Sequence, residues 1–324
     1  MTLTTPFATT GLELDEAPVR EFLPERATVD AVALHEQVEA GVRVLRVGLM
    51  GFGRTGRDVA SLLLKDESMR LEWVVRRSEL LEHRSVSEFL GMESAEPGRM
   101  HSVGEQTAEG LLTAFPVDVI IDFSSDAGLD YYGEAAAARG VTIVSAISHY
   151  SDAKQRQLQR YSRSTRVLWS PNITLGINFM LLAAQTLQRI VPQVDVQIVE
   201  EHFRHKAGVS GTALRLARAL DVPDGEVHVI RAGGIIGVHE VLFGFPAQTV
   251  RLRHEAISRE AFGNGAIFAA RHLMDKEPGI YRMEDLLMPY FALPGERPQH
   301  PVRRPAGVRG RLASRLRSAA DRLT

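Results

Sequence analysis

Val42-Arg43-Val44-Leu45-Arg46-Val47-Gly48-Leu49-Met50-Gly51-Phe52-Gly53-Arg54-Thr55-Gly56 is an apolar run that stops at a glycine cluster. Val59, Leu62 and Leu63 continue beyond it at helical spacing, so the local order is strand, tight turn, helix. A G-x-G-x-x-G at that junction has a mechanical meaning. It provides a tight turn, a close approach of backbone to a pyrophosphate and a helix–sheet contact, with the phosphates at the helix N-terminus. The hexapeptide alone carries little weight, because glycines also serve plain turns; its place between a strand and a helix favours dinucleotide binding. Gly51, Phe52, Gly53, Arg54, Thr55 and Gly56 are therefore candidate cofactor-binding residues.

Further apolar runs at 71–75, 117–123, 141–146 and 167–169 alternate with helical stretches, among them 126–139. Strands that are nearly continuously apolar belong to a parallel sheet covered on both faces, which predicts a doubly wound, Rossmann-type α/β half. From Gly176 the texture changes. A helix with Ile177, Met180, Leu181, Ala184, Leu187 and Ile190 on one side leads into a strand over 194–199. Later strands are expected at 227–230, 235–245 and 249–254, where Val250 and Leu252 alternate with Arg251 and Arg253. Such alternation predicts a C-terminal α+β domain whose open mixed sheet has one polar face. A last apolar helix, 262–274, is expected to return to the first domain. The expected organisation is an N-terminal extension (1–42), a dinucleotide-binding domain (43–172 with 262–291), a substrate and oligomerisation domain (173–261) and a basic tail (292–324). No repeat of solenoid period is present.

Composition limits the chemistry. The 324 residues contain no cysteine, which excludes disulfides, thiolate metal sites and cysteine nucleophiles. A net charge of −2 does not suggest a nucleic-acid binder. No apolar stretch approaches the length of a membrane span and the first residues lack a secretory pattern, so a cytoplasmic location is the expectation. The charge is an average: residues 297–324 hold eight arginines and one acid, Asp321. A solvated tail is the favoured reading there, with an anchor for an acidic partner as the alternative.

Two further constellations bear on function. About 20 residues beyond the glycines, where an NAD binder usually has a carboxylate for the ribose 2′-hydroxyl, stand Arg76 and Arg77. Guanidinium groups suit a 2′-phosphate, so NADPH is the inferred cofactor, with use of NADH left open. The second is Glu200-Glu201-His202-Phe203-Arg204-His205-Lys206 followed by Ser210-Gly211-Thr212-Ala213-Leu214. It is read as the loop after the 194–199 strand. Its cations would attract a carboxylate-bearing small molecule, and Ser210 or Thr212 would cap the next helix, leaving backbone N–H groups for an anion. Within it Lys206 is a candidate proton donor and His202 a candidate acid or base. A solvated basic loop is the competing reading. Metal is not expected, since H-x-x-H alone lacks the pattern of a zinc site.

Taken in order, the glycine motif, Val117-Asp118-Val119-Ile120-Ile121-Asp122-Phe123-Ser124, Asn172-Ile173-Thr174-Leu175-Gly176-Ile177-Asn178, the His202–Leu214 stretch and Arg259-Glu260-Ala261-Phe262-Gly263-Asn264-Gly265-Ala266 resemble the 4-hydroxy-tetrahydrodipicolinate reductase (dihydrodipicolinate reductase) family of the lysine and diaminopimelate pathway. The resemblance covers about residues 43–275. It implies a homotetramer formed through the open sheet, catalysis by His202 and Lys206, and hydride transfer to a conjugated imine. It also implies a substrate site of Phe203, Ser210, Gly211 and Thr212, and cofactor contacts from Ser145, Ala146, Ile147 and Asn172. Three stretches depart from the family pattern. Ser145-Ala146-Ile147-Ser148 replaces a Gly-Thr-Thr-Gly turn, Phe203 replaces a second histidine, and Ala207-Gly208-Val209 shortens an Asp-Ala-Pro stretch. The alternatives are a diamino-acid dehydrogenase of the same architecture and a non-catalytic cofactor-binding homologue.

Overall fold

A computed structural model describes residues 43–78 and 85–291; the N-terminal extension and the basic tail lie outside the described residues. The opening run becomes β1 (Leu45–Met50), buried along almost its whole length, and α1 (Arg54–Lys65) follows at once. β1 shows no in–out alternation because both its faces are covered. β2 (Met69–Arg76), α2 (Val86–Leu90), β3 (Arg99–Ser102) and α3 (Ala108–Ala114) come next. They are followed by β4 (Val119–Asp122), α4 (Gly128–Ala138), β5 (Thr142–Ser145), α5 (Asp152–Tyr161) and β6 (Arg166–Trp169).

The chain then leaves this layer. α6 (Leu175–Ile190) leads to β7 (Asp195–His202), α7 (Gly211–Ala219), β8 (Val227–Arg231), β9 (Val238–Phe245) and β10 (Gln248–Glu255). It returns through α8 (Glu260–Leu273), β11 (Gly279–Tyr281) and α9 (Met283–Leu287). Seven parallel strands form one sheet in the order β11-β6-β5-β4-β1-β2-β3, and four form a second in the order β10-β9-β7-β8. In the second sheet β8 runs parallel to β7 while β9 and β10 are antiparallel, so it is mixed. Both halves thus have the expected class.

Apolar residues of α1 and α8 seal one face of the large sheet: Val59, Ala60, Leu63, Ala266, Ala270 and Leu273 pack with Val47, Leu49 and Ile121. Each large aliphatic side chain so buried contributes about 1.5–3 kcal/mol. The contact is close because α8 offers glycines. A Cβ on Gly263 would stand 2.6 Å from the Leu62 side chain, and one on Gly265 would stand 1.9 Å from the Ile173 carbonyl oxygen. On the small sheet, Ile198, Val241 and Phe243 pack with Ile177 and Leu181 of α6, Leu216 of α7 and Leu220 just beyond it.

Two expectations are corrected. The strand expected from 194 to 199 continues to His202, because β8 and β9 pair with it through Glu201 and Glu200; the histidine therefore ends a strand instead of opening a loop. The strand expected from 235 begins at Val238, with Ile236 and Gly237 lining a cavity ahead of it. β3 and β11, four and three residues long, show no sequence pattern of their own.

Candidate active site

The glycine motif opens onto a groove of about 480 Å³ lined by Gly51, Phe52, Gly53, Arg76, Arg77, Ser78, Phe123, Ser124 and Ser125. Each glycine has a distinct reason. Gly51 takes φ +94°, and a Cβ there would strike Phe123 O at 2.7 Å; a Cβ on Gly56 would strike Gly51 O at 2.2 Å. Around Gly53 a Cβ meets nothing within 4 Å, which is the space a pyrophosphate needs. No acidic residue occupies the first turn of α1 and no side chain caps it, so its N-terminal dipole faces the groove uncompensated. The residues present therefore fit a dinucleotide. The first, second and third residues of the motif line the groove with Arg76 and Arg77, whereas Arg54, Thr55 and Gly56 form the helix start behind it.

Ser124 is held in place by Asp122, whose buried carboxylate accepts the Ser124 N–H at 2.8 Å, the Ser124 hydroxyl at 2.5 Å and the Tyr132 hydroxyl at 3.0 Å. Burial pushes the Asp122 carboxyl up to about 6 despite these bonds. At the end of β5 the Ser145 hydroxyl is buried against Tyr150 at 2.9 Å, and the Trp169 indole N–H donates to Ile147 O at 2.7 Å. The turn from Ser145 to Ser148 is thus fastened from behind, and Ser148 lines a second cavity.

That second cavity, about 310 Å³, collects Asn172, His202, Phe203, Lys206, Ser210, Gly211 and Thr212 from the sequence-derived set. It adds Ile236, Gly237, His239, His254 and Phe262. Asn172, expected at the cofactor, stands among the substrate candidates and donates from Nδ2 to Thr212 Oγ1 at 3.0 Å. Ser210 is the N-cap of α7, accepting the Ala213 N–H at 3.1 Å, so Gly211 and Thr212 present the helix start to the cavity.

Beneath the cavity lies Glu200, fully buried. It accepts from Arg231 Nη2 at 2.6 Å and from the Ser210 N–H at 3.1 and 3.2 Å, with His202 Nδ1 at 3.6 Å and His239 Nε2 at 3.8 Å. Burial alone would raise the Glu200 carboxyl, but the bonds from Ser210 and Arg231 outweigh it and hold it below the usual range. Burial, reinforced by Lys206 and Arg231 and opposed by Glu200, lowers His202 from the ordinary imidazole value, which keeps it neutral at pH 7. His239 is pushed down to about 3, chiefly by burial. Ligand atoms of Glu200, His202 and His239 lie within 4.8 Å of one another. Arg231 and Ser210 already occupy the carboxylate, and two cations face the group, so the arrangement favours an anion over a metal ion.

Glu200, Arg231 and His239 were not legible as site residues. The local signal is the polar pair His239-Glu240, buried between Val238 and Val241 on β9.

Two family models match the chain, the N-terminal part of dihydrodipicolinate reductase over residues 45–173 and its C-terminal part over 176–287. The chain belongs to the dihydrodipicolinate reductase family. Among curated members, the 4-hydroxy-tetrahydrodipicolinate reductase of Nitratidesulfovibrio vulgaris (strain DSM 19637 / Miyazaki F) is 30% identical over 261 residues, spanning 72% of this chain and 96% of the relative. That of Caldanaerobacter subterraneus subsp. tengcongensis is 32% identical over 192 residues, 52% of this chain and 76% of the relative. Among solved structures, a dipicolinate-bound dihydrodipicolinate reductase from Paenisporosarcina sp. TG-14 superposes with a TM-score of 0.63 at 21% identity, over 75% of this chain and 99% of the other. An amine dehydrogenase from Mycobacterium smegmatis gives 0.53 at 10% identity, over 74% and 95%. These two share the fold. Among the described residues of this dihydrodipicolinate reductase family member, no helix is long and apolar enough to cross a membrane.

Proposed function

We propose that the chain is an NADPH-dependent 4-hydroxy-tetrahydrodipicolinate reductase, converting that cyclic imine to tetrahydrodipicolinate. The convergence of Lys206, His202 and the start of α7 on one cavity carries this reading, and family membership favours it over the amine-oxidising and non-catalytic alternatives. The nicotinamide supplies a hydride. Substrate loses its 4-hydroxyl as water and gains that hydride and one proton, which balances the conversion. Gly211 and Thr212 at the helix N-terminus hold a substrate carboxylate, Lys206 delivers the proton, and neutral His202 stabilises the charge that develops. Phe203, 45% exposed on the cavity, supplies an apolar wall.

The test is NADPH oxidation followed spectrophotometrically with substrate generated in situ. No turnover by folded, cofactor-bound protein would reject the assignment. Arg76 and Arg77, both on the groove, support selection of the 2′-phosphate. Changing both to alanine is expected to raise the KM for NADPH at least about tenfold, equivalent to about 1.4 kcal/mol, while the KM for NADH changes less than about threefold, read from the same assay. Copies of the chain assemble, in this reading, as a homotetramer through the outer face of β10-β9-β7-β8. There Leu242 and the 45% exposed Ile230 sit among the Arg253–Glu201 and Arg251–Glu240 ion pairs, and light scattering on the assay sample reads the mass.

A further inference from the structure

We propose that Glu200 is a positioning residue: one carboxylate, sealed beneath the cavity, holds the His202 ring, the first turn of α7 and the Lys206 loop in a single register. The proposal rests on the reading of His202 and Lys206 given above. Glu200 occupies the middle of the site end of β7, flanked across the sheet by Val229 and His239, and is fully buried. A carboxylate there is costly unless every oxygen is engaged. Each group that engages it leads to a different functional element.

Ser210, whose N–H it accepts, caps α7 and meets His239 Nε2 at 3.1 Å through its hydroxyl. Arg231 bonds Glu200 and also donates to the carbonyls of Lys206, at 3.0 Å, and Gly208, which pins the loop carrying the lysine. Of the two histidines beside the carboxylate, the nearer is His202, whose Nδ1 lies 3.6 Å from Oε2 and is buried without a hydrogen bond. With Nδ1 turned toward Glu200, Nε2 lies beside Gly237, where a Cβ would come within 3.2 Å of it, and Gly237 lines the cavity. A mere counter-ion for Arg231 would need none of the other contacts.

Three charges act on His202, and two further histidines stand beside it. Glu200 on its own strand favours the imidazolium; Lys206 from the following loop and Arg231 from β8 oppose it. His239 of β9 stacks edge-on at 5.3 Å, and His254 of β10 lines the same cavity. Removing the Glu200 charge therefore lowers the His202 titration further.

The test is Glu200→Gln, which keeps shape and discards charge. We expect kcat to fall about 10- to 100-fold, the scale of a lost orienting partner. The Kd for NADPH should stay within about twofold, and the acid limb of the kcat/KM profile should move to lower pH. Glu200→Asp, which restores the charge, should bring the limb back toward wild type. A folded Glu200→Gln protein with kcat within about threefold of wild type and an unmoved limb would overturn the proposal. If that variant does not fold, imidazole ¹⁵N NMR of the wild-type protein decides. His202 protonated at Nδ1 supports Glu200 as its orienting partner, and His202 protonated at Nε2 overturns it. This readout does not depend on turnover, so it separates failure of the inference from failure of the proposed reaction.

Discussion

Lys206→Ala is expected to lower turnover at least about a hundredfold while leaving the Kd for NADPH within about twofold. Lys206 lines the smaller cavity with His202 and Thr212, whereas the glycine motif and the two arginines line the separate groove. In the proposed mechanism, losing the lysine therefore removes the proton donor and leaves the groove of the glycine motif intact. General acid catalysis contributes about 10²- to 10⁴-fold, which sets the scale. Steady-state NADPH oxidation and a fluorescence titration of NADPH give the two numbers. Lys206→Arg divides the role further: arginine keeps the charge that draws an anionic substrate but does not release a proton at working pH. It should restore the substrate KM and leave kcat low. Undiminished turnover in the alanine variant would remove Lys206 from the chemistry.

Gly265→Ala is expected to be the most damaging single methyl in the fold. Its Cβ would lie 1.9 Å from Ile173 O and 2.8 Å from the carbonyl carbon, and backbone cannot swing aside as a side-chain tip can. Helix α8 would have to lift from the segment joining β6 to α6, disturbing Ala266, Ala269 and Ala270, all fully buried. Overpacking costs about 1–3 kcal/mol and occasionally more, and a backbone clash belongs at or above the upper end, about 3 kcal/mol. For a unit of this size that is roughly a 10 °C fall in Tm. Gly53→Ala is the control, since nothing lies within 4 Å of its added methyl. Its Tm should match wild type within about 2 °C, while dinucleotide affinity falls. Thermal denaturation of the two variants side by side checks both claims.

What was legible in the chain follows from what is local. The glycine loop could be read because a positive φ, an open approach and a helix start are demands made within six residues, and Gly51, Gly53 and Gly56 meet them individually. Arg76 could be read because strand β2 fixes its distance from that loop. The alternation of Val250 and Leu252 with arginines betrayed a half-open sheet for the same reason. The underside of the smaller cavity was hidden because its logic is not local. Glu200 looks like one more charge in a polar stretch until β8 and β9 arrive from 30 and 40 residues away, bringing Arg231 and His239. Ser145 and Asn172 show the reverse problem. Motif position suggested open contacts, whereas packing commits one hydroxyl to Tyr150 and one amide to Thr212.

The return of the chain to the large sheet also governs the order in which the protein can fold. β11 completes that sheet against β6, with Ile280 paired to Val167 and the Arg166 side chain bonded to Lys276 O, 110 residues downstream. During synthesis the ribosome must therefore release the whole small sheet before the nucleotide-binding layer receives its last strand and its covering helix α8. A nascent chain halted before Glu260 holds six of the seven strands, with the face over Val47 and Ile121 covered by α1 but not yet by α8. Such closure between distant segments is slow and leaves apolar surface waiting. The large sheet can therefore close only after Tyr281 has left the tunnel.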